Sequence, residues 1–167
     1  MVKIDDIILG NNSPFVLIAG PCVIENRDMT VLIAKRIKEI TSKLNIPFIF
    51  KSSFKKANRT SLDSFTGIDF DESLKIFNEV KNEFKVPIVT DVHTENDIEL
   101  IYSVVDILQI PAFLCRQTDL LLAAGKSGKA VNVNKGQFLA PEDLKHAVQK
   151  IESTGNSKIL LTERGSS

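Results

Sequence analysis

The sequence predicts an α/β fold with a parallel sheet closed into a barrel. Three observations lead there. Short apolar strands alternate with helical patterns from residue 15 to residue 162. The strands read as continuous apolar runs, as parallel strands covered on both faces do. Polar residues then cluster just past nearly every strand: Cys22, Lys51, Asp91 and His93, Gln109, Lys135, and Glu163 with Arg164. A site assembled from many strand ends is the pattern of a (β/α)8 TIM barrel, whereas an open doubly wound sheet gathers its site at one switch point. No GxGxxG follows the first strand, which counts against a dinucleotide-binding sheet.

The elements follow in order. Residues 2–12 hold two short apolar patches and a turn-forming Gly10-Asn-Asn12, predicting an N-terminal hairpin under the barrel. Phe15-Val-Leu-Ile-Ala19 is the first barrel strand, closed by Gly20-Pro21. A helix follows with Met29, Leu32, Ile33, Ile37, Ile40 and Leu44 on one face and Asn26 or Asp28 as cap. Strands are predicted at 48–50, 87–90, 107–110, 130–133 and 158–162. The intervening helices run through Leu74, Phe77, Val80 and Phe84, then near 95–103, 117–126 and 141–152, the last with Pro141 in its first turn. One domain, residues 1–167, is expected, holding six β/α units of a barrel that takes about 250 residues when complete.

Bulk properties narrow the function. Basic and acidic residues balance at 21 each, so no overall field points to nucleic acid or a membrane surface. Two cysteines far apart, Cys22 and Cys115, suit a reducing compartment better than a disulfide scaffold. With no signal-like N-terminus and no membrane-length apolar run, the expectation is a soluble cytoplasmic protein.

The chemistry concentrates in Lys51-Ser-Ser-Phe-Lys-Lys-Ala-Asn-Arg-Thr-Ser61, where cations and small hydroxyl donors directly follow an apolar strand. A solvated basic turn would explain a lone charge run, but here cations recur at other strand ends. On a barrel, Lys51, Lys56, Lys135 and Arg164 converge on one mouth, with Asp91 and Glu163 as partial counter-charges. Cations held together in a partly dry cavity call for anions, and a compound bearing phosphate and carboxylate fits. Asn58-Arg59-Thr60 could grip a second phosphate, which suggests a condensation or transfer between two phosphorylated ligands.

These residues carry a family resemblance. Ile18-Ala-Gly-Pro-Cys-Val-Ile-Glu25, the 51–61 segment, Thr90-Asp-Val-His93, the run from Gln109 to Leu120, Asn132-Val-Asn-Lys-Gly-Gln-Phe138 and Thr162-Glu-Arg-Gly165 resemble the 3-deoxy-manno-octulosonate 8-phosphate synthases, also named 2-dehydro-3-deoxyphosphooctonate aldolases. The resemblance runs from about residue 10 to the last residue. It implies a transferase that condenses phosphoenolpyruvate with arabinose 5-phosphate and releases inorganic phosphate, for lipopolysaccharide synthesis. By the same resemblance Lys51, Lys56, Lys135 and Arg164 hold phosphoenolpyruvate, Lys56 also counts as catalytic, and Ser53 is among the substrate-binding residues. Asn58, Arg59 and Thr60 hold the sugar phosphate, and Asp91 (catalytic) and Gln109 face the sugar or the reacting centre. Arg116 reaches across a subunit interface, so a homo-oligomer, a tetramer, is implied.

Cys22 resembles the cysteine of the metal-dependent class, one of four ligands to a divalent ion. The other three, a histidine, a glutamate and an aspartate, belong to later strands, and His93 does not match the missing histidine. A small buried apolar cysteine is the bland account of Cys22, and a satisfied structural histidine that of His93. His146 reads as surface, and Cys115 carries no assigned role. The rival is the related heptulosonate 7-phosphate synthase, which uses erythrose 4-phosphate. That family shows proline between the lysine and arginine, where this chain has Lys56-Ala-Asn-Arg59. The family pattern continues past Gly165 with two further β/α units. A longer chain, a true truncation and a decayed gene are the three accounts of the sequence stopping at 167. A 167-residue product by itself is expected to be inactive, a fragment that only binds phosphorylated ligands.

Overall fold

A computed structural model describes residues 1–10, 12–57, 61 and 63–165. Strands β1 (Val2–Ile4) and β2 (Ile7–Leu9) pair antiparallel, with Val2 opposite Leu9. The expected hairpin is there, turning at Asp5-Asp6 between the two apolar patches, and Asp5 takes a left-handed φ of 49°. A two-residue hairpin turn needs positive φ, and aspartate is among the side chains that tolerate it.

Six strands then form one parallel sheet in sequence order: β3 (Leu17–Ala19), β4 (Phe48–Lys51), β5 (Ile88–Asp91), β6 (Ile107–Ile110), β7 (Ala130–Asn134) and β8 (Ile159–Thr162). Helices lie between them: α1 (Arg27–Lys43), α2 (Phe70–Phe84), α3 (Glu95–Ile101), α4 (Thr118–Lys126) and α5 (Leu144–Glu152). This is the curved, helix-backed part of a (β/α) barrel, as the alternation predicted. The first barrel strand starts two residues later than predicted, leaving Phe15 outside it and 69% exposed. The last helical segment splits into a 3-10 turn, Pro141–Asp143, and α5, with proline at the turn's start.

Local signals set the helix ends. The Asn26 side chain accepts from the Met29 amide at 2.8 Å, so Asn26 and not Asp28 caps α1. Asp69 caps α2 by accepting from Glu72 N at 3.1 Å, and Thr94 with Asp97 forms a capping box on α3.

Each strand divides its residues between two faces. Outward-facing Phe50, Ile88, Leu108 and Val131 meet Phe77, Ile101, Leu121 and Ile151 in the main core between sheet and helices. Inward-facing Ile49, Val89, Ile107 and Ala130 form a separate apolar layer, and Val2 and Ile4 of the hairpin pack against it. The hairpin therefore floors the barrel interior. Two residues further along the same strands the inner face turns polar: Lys51, Asp91, Gln109 and Asn132. The register holds them side by side, with Asp91 opposite Gln109 and Gln109 opposite Asn132.

Candidate active site

The polar layer is a single hydrogen-bonded chain across five strands. Thr162 Oγ1 donates to Asn132 Oδ1 at 2.9 Å, and Asn132 Nδ2 donates to Gln109 Oε1 at 3.0 Å. Gln109 Nε2 then donates to Asp91 Oδ1, and Ser53 Oγ donates to Asp91 Oδ2. Lys51 Nζ closes the chain, 3.2 Å from Asp91 Oδ2 and 3.1 Å from Ser53 Oγ. Backbone pairing continues past β3 and β4 to fix this end: Ser53 N donates to Cys22 O at 3.3 Å, and Ile24 N to Ser53 O at 3.0 Å. Gly20 lets the two strand ends approach, since a Cβ there would lie 2.0 Å from the Lys51 carbonyl oxygen.

Above this layer opens a cavity of about 520 Å³, lined among others by Lys51, Lys55, Lys56, Asp91, Gln109 and Arg164. A groove of similar size, about 550 Å³, runs between α3 and α4 on the outer surface. It holds Glu95, Glu99 and Asp119 but lacks converging cations. The strand-end cavity sets four cations against one partly buried carboxylate, an arrangement chemically suited to anions.

Burial alone would push the Asp91 carboxyl up. The Lys51 charge and hydrogen bonds from Ser53, Gln109 and Lys51 outweigh it and hold the group below its usual range. Asp91 is therefore ionised near neutral pH and a poor proton acceptor; it serves as a fixed counter-charge and orienting acceptor. His93, at the cavity wall, is pushed down by burial, with Asp91 and Asp97 pulling the other way and Lys55 and Lys51 adding to the fall. Its Nδ1 is buried without a hydrogen-bond partner, 3.8 Å from Asp97 Oδ2. The neutral form is favoured in the fold, so stability is complete above the unfolded histidine value of about 6.5 and falls as pH drops below it. His93→Asn is expected to flatten the decline of Tm between about pH 6.5 and 5, read by thermal melts at half-unit steps. An unchanged slope would remove His93 as its source.

The structure brings Lys51, Ser53, Lys56, Asp91, Gln109 and Arg164 together, all at one cavity. Cys22 lies at its rim, where Lys56 Nζ contacts its Sγ. Lys135 is beside the site but turned in: its side chain is 2% exposed, and its ammonium donates to the carbonyls of Gly136 and Leu139 at 3.2 Å each and lies 3.9 Å from Glu163 Oε1. Arg116 lines a different depression, with Phe138, His146 and Lys150, and is not among the groups at the mouth. Asn58, Arg59 and Thr60 lie outside the described residues. Sequence reasoning missed Lys55, Asn132, Asn134 and Gln137. The alternation Asn132-Val133-Asn134 was the available signal, since it sets two amides on the face shared with Gln109.

The whole chain, residues 1–167, matches the DAHP synthetase I family. The chain belongs to this family. Among curated proteins it is similar to the 2-dehydro-3-deoxyphosphooctonate aldolase of Bartonella henselae, 53% identical over 167 residues, all of this chain and 60% of that protein. The proteins of the same name from Rickettsia bellii and Rickettsia typhi are each 56% identical, covering 99% of this chain and 60% and 61% of their own lengths. The chain thus spans about 60% of the length of these relatives. Their printed name agrees with the resemblance carried by the strand-end motifs. Among the described residues, no helix is long and apolar enough to cross a membrane.

Proposed function

We propose that this chain forms the anion-holding side of an active site that condenses phosphoenolpyruvate with arabinose 5-phosphate and water, giving 3-deoxy-manno-octulosonate 8-phosphate and inorganic phosphate. The observation that carries this reading is the single cavity on which Lys51, Lys56 and Arg164 converge around the ionised Asp91 and Gln109. The enol carbon attacks the sugar aldehyde, positive charge develops on the neighbouring carbon, water adds there, and phosphate leaves by carbon–oxygen cleavage. The cations hold two mutually repelling anions in register, Asp91 offers its charge to the developing cation, and the apolar floor keeps water from below. The name shared by relatives at 53–56% identity favours the eight-carbon product over the heptulosonate alternative.

The reading includes a divalent ion, with Cys22 as one ligand. The exposed Cys22 thiol at the rim, a soft sulfur donor open to solvent and free of any disulfide, fits such a role. Among the described residues no three His, Cys, Asp or Glu side chains gather around an ion site, so Cys22 is the ligand offered here. A bound ion would supply charge that polarises the aldehyde. The hairpin and the β/α units belong to one domain in this reading. Arg116, set apart from the mouth, is the residue that would serve a neighbouring subunit of a homo-oligomer, a tetramer by family resemblance. The compartment is the cytoplasm and the pathway is lipopolysaccharide synthesis.

Phosphate release from phosphoenolpyruvate by the intact protein tests the reading. Release is expected with arabinose 5-phosphate, with erythrose 4-phosphate at least about tenfold slower, and silenced by a chelator. Preference for erythrose 4-phosphate would move the assignment to the heptulosonate reaction, and full activity in chelator would remove the ion.

A further inference from the structure

Asn132 lies on β7 beneath the cavity, 4% exposed, with both ends of its amide engaged. Its Oδ1 accepts from Thr162 at 2.9 Å and its Nδ2 donates to Gln109 Oε1 at 3.0 Å. Gln109 in turn faces Asp91, an ionised carboxylate that can only accept. The sense of the chain is fixed by this end. Gln109 must turn its NH2 to Asp91, so its oxygen must meet a donor, and Asn132 supplies it. Reversing Gln109 would set an amide oxygen against the Asp91 carboxylate and its NH2 against that of Asn132. Donors all point one way, from Thr162 to Asp91, and such chains reinforce each other in a low-dielectric interior.

We propose that Asn132 is a positioning residue that locks the Gln109 amide in one orientation, so that Gln109 presents N–H groups to Asp91 and to the reactants. Asn132 itself does not line the cavity and acts only through Gln109. The inference rests on the condensation reading for its kinetic readout, but its titration readout needs no substrate.

Two variants test it. Asn132→Leu removes the donor at similar volume without adding charge, and frees Gln109 to reverse. Asn132→Asp, nearly isosteric, places an acceptor against the Gln109 oxygen and drives the reversal. For each, kcat and KM for phosphoenolpyruvate are measured, and the Asp91 carboxyl is titrated by carbon-13 NMR in the ligand-free protein. Asp91 is faced by Lys51 from β4 and by His93 from its own segment, and neither is altered. The expected result for both is a kcat loss of about tenfold to a hundredfold, with KM within about threefold and the Asp91 titration moved upward. Asn132→Asp should show the larger upward movement, since its own charge adds to the reversal. Wild-type kcat and an unmoved Asp91 titration in folded Asn132→Leu would overturn the proposal. If that variant does not fold, the same wild-type values in Asn132→Asp would overturn it. A wild-type protein without condensation activity would refute the functional reading alone, because the Asp91 titration would still report the lock.

Discussion

Lys51→Met is expected to abolish the proposed condensation, lowering kcat/KM by at least about a thousandfold while the protein remains folded but weakened. Methionine matches the length of the lysine stem and removes the charge together with the ammonium's hydrogen bonds to Asp91 and Ser53. Two losses combine. The anion of the proposed reaction loses one of the cations at the cavity, an interaction whose value grows as water is excluded. Asp91, 15% exposed beside a Lys51 that is 21% exposed, also loses its ion-pair partner and keeps only the hydrogen bonds of Ser53 and Gln109. Removing one partner of a fully buried pair costs about 3–5 kcal/mol, because the remaining charge is left uncompensated, and this partly exposed pair belongs at or below the low end. The Asp91 carboxyl should then rise out of its depressed range. Steady-state kinetics and denaturant melts check both effects. Adding Asp91→Asn to Lys51→Met should restore most of the stability and none of the activity. Turnover within about tenfold of wild type would remove Lys51 from the site.

The second large effect is expected at Gly20. Its substitution by alanine should lower stability by about 3 kcal/mol or more and reduce activity along with it. The new Cβ would stand 2.0 Å from the Lys51 carbonyl oxygen and 3.0 Å from its carbon. These are backbone atoms, unable to rotate away as a side chain would. Relief requires parting the ends of β3 and β4, where Ser53 N and Cys22 O are paired and Lys51 is aimed. Overpacking a tight interior commonly costs about 1–3 kcal/mol, and a clash between two backbones belongs at or beyond the upper end. A shift in the denaturation midpoint without change of slope is the expected sign. An unaltered midpoint would mean the strand ends are looser than the structure shows.

Much of this was legible in the sequence. The apolar runs marked the six barrel strands to within two residues, because strands buried on both faces cannot carry scattered charge. Polar residues at their C-terminal ends marked the mouth. What stayed hidden depended on which atoms face each other. Lys135 looked like a cation for the cavity, yet its ammonium is spent on the Gly136 and Leu139 carbonyls, a matter of loop conformation that composition does not reveal. The role of Asn132 required the lateral register of β6, β7 and β8, which pairs residues far apart in the chain. The hairpin was legible as two apolar patches, but its turn at Asp5-Asp6 follows from pairing Val2 with Leu9, which sends Val2 and Ile4 into the barrel floor.

The alternation along β5, β6 and β7 also constrains what kinds of genetic change this protein can absorb. Asp91, Gln109 and Asn132 face inward only because each strand is counted in twos from its apolar neighbour below. Loss or gain of a single codon inside one of these strands would exchange its inner and outer faces, sending an ionised or amide side chain into the packed core and a bulky hydrocarbon into the strand-end cavity. A change of two codons would keep the faces but slide the polar residue off its lateral partners by about 7 Å. Length variation in this fold is therefore confined to the connections, and the strands themselves can drift only by substitution.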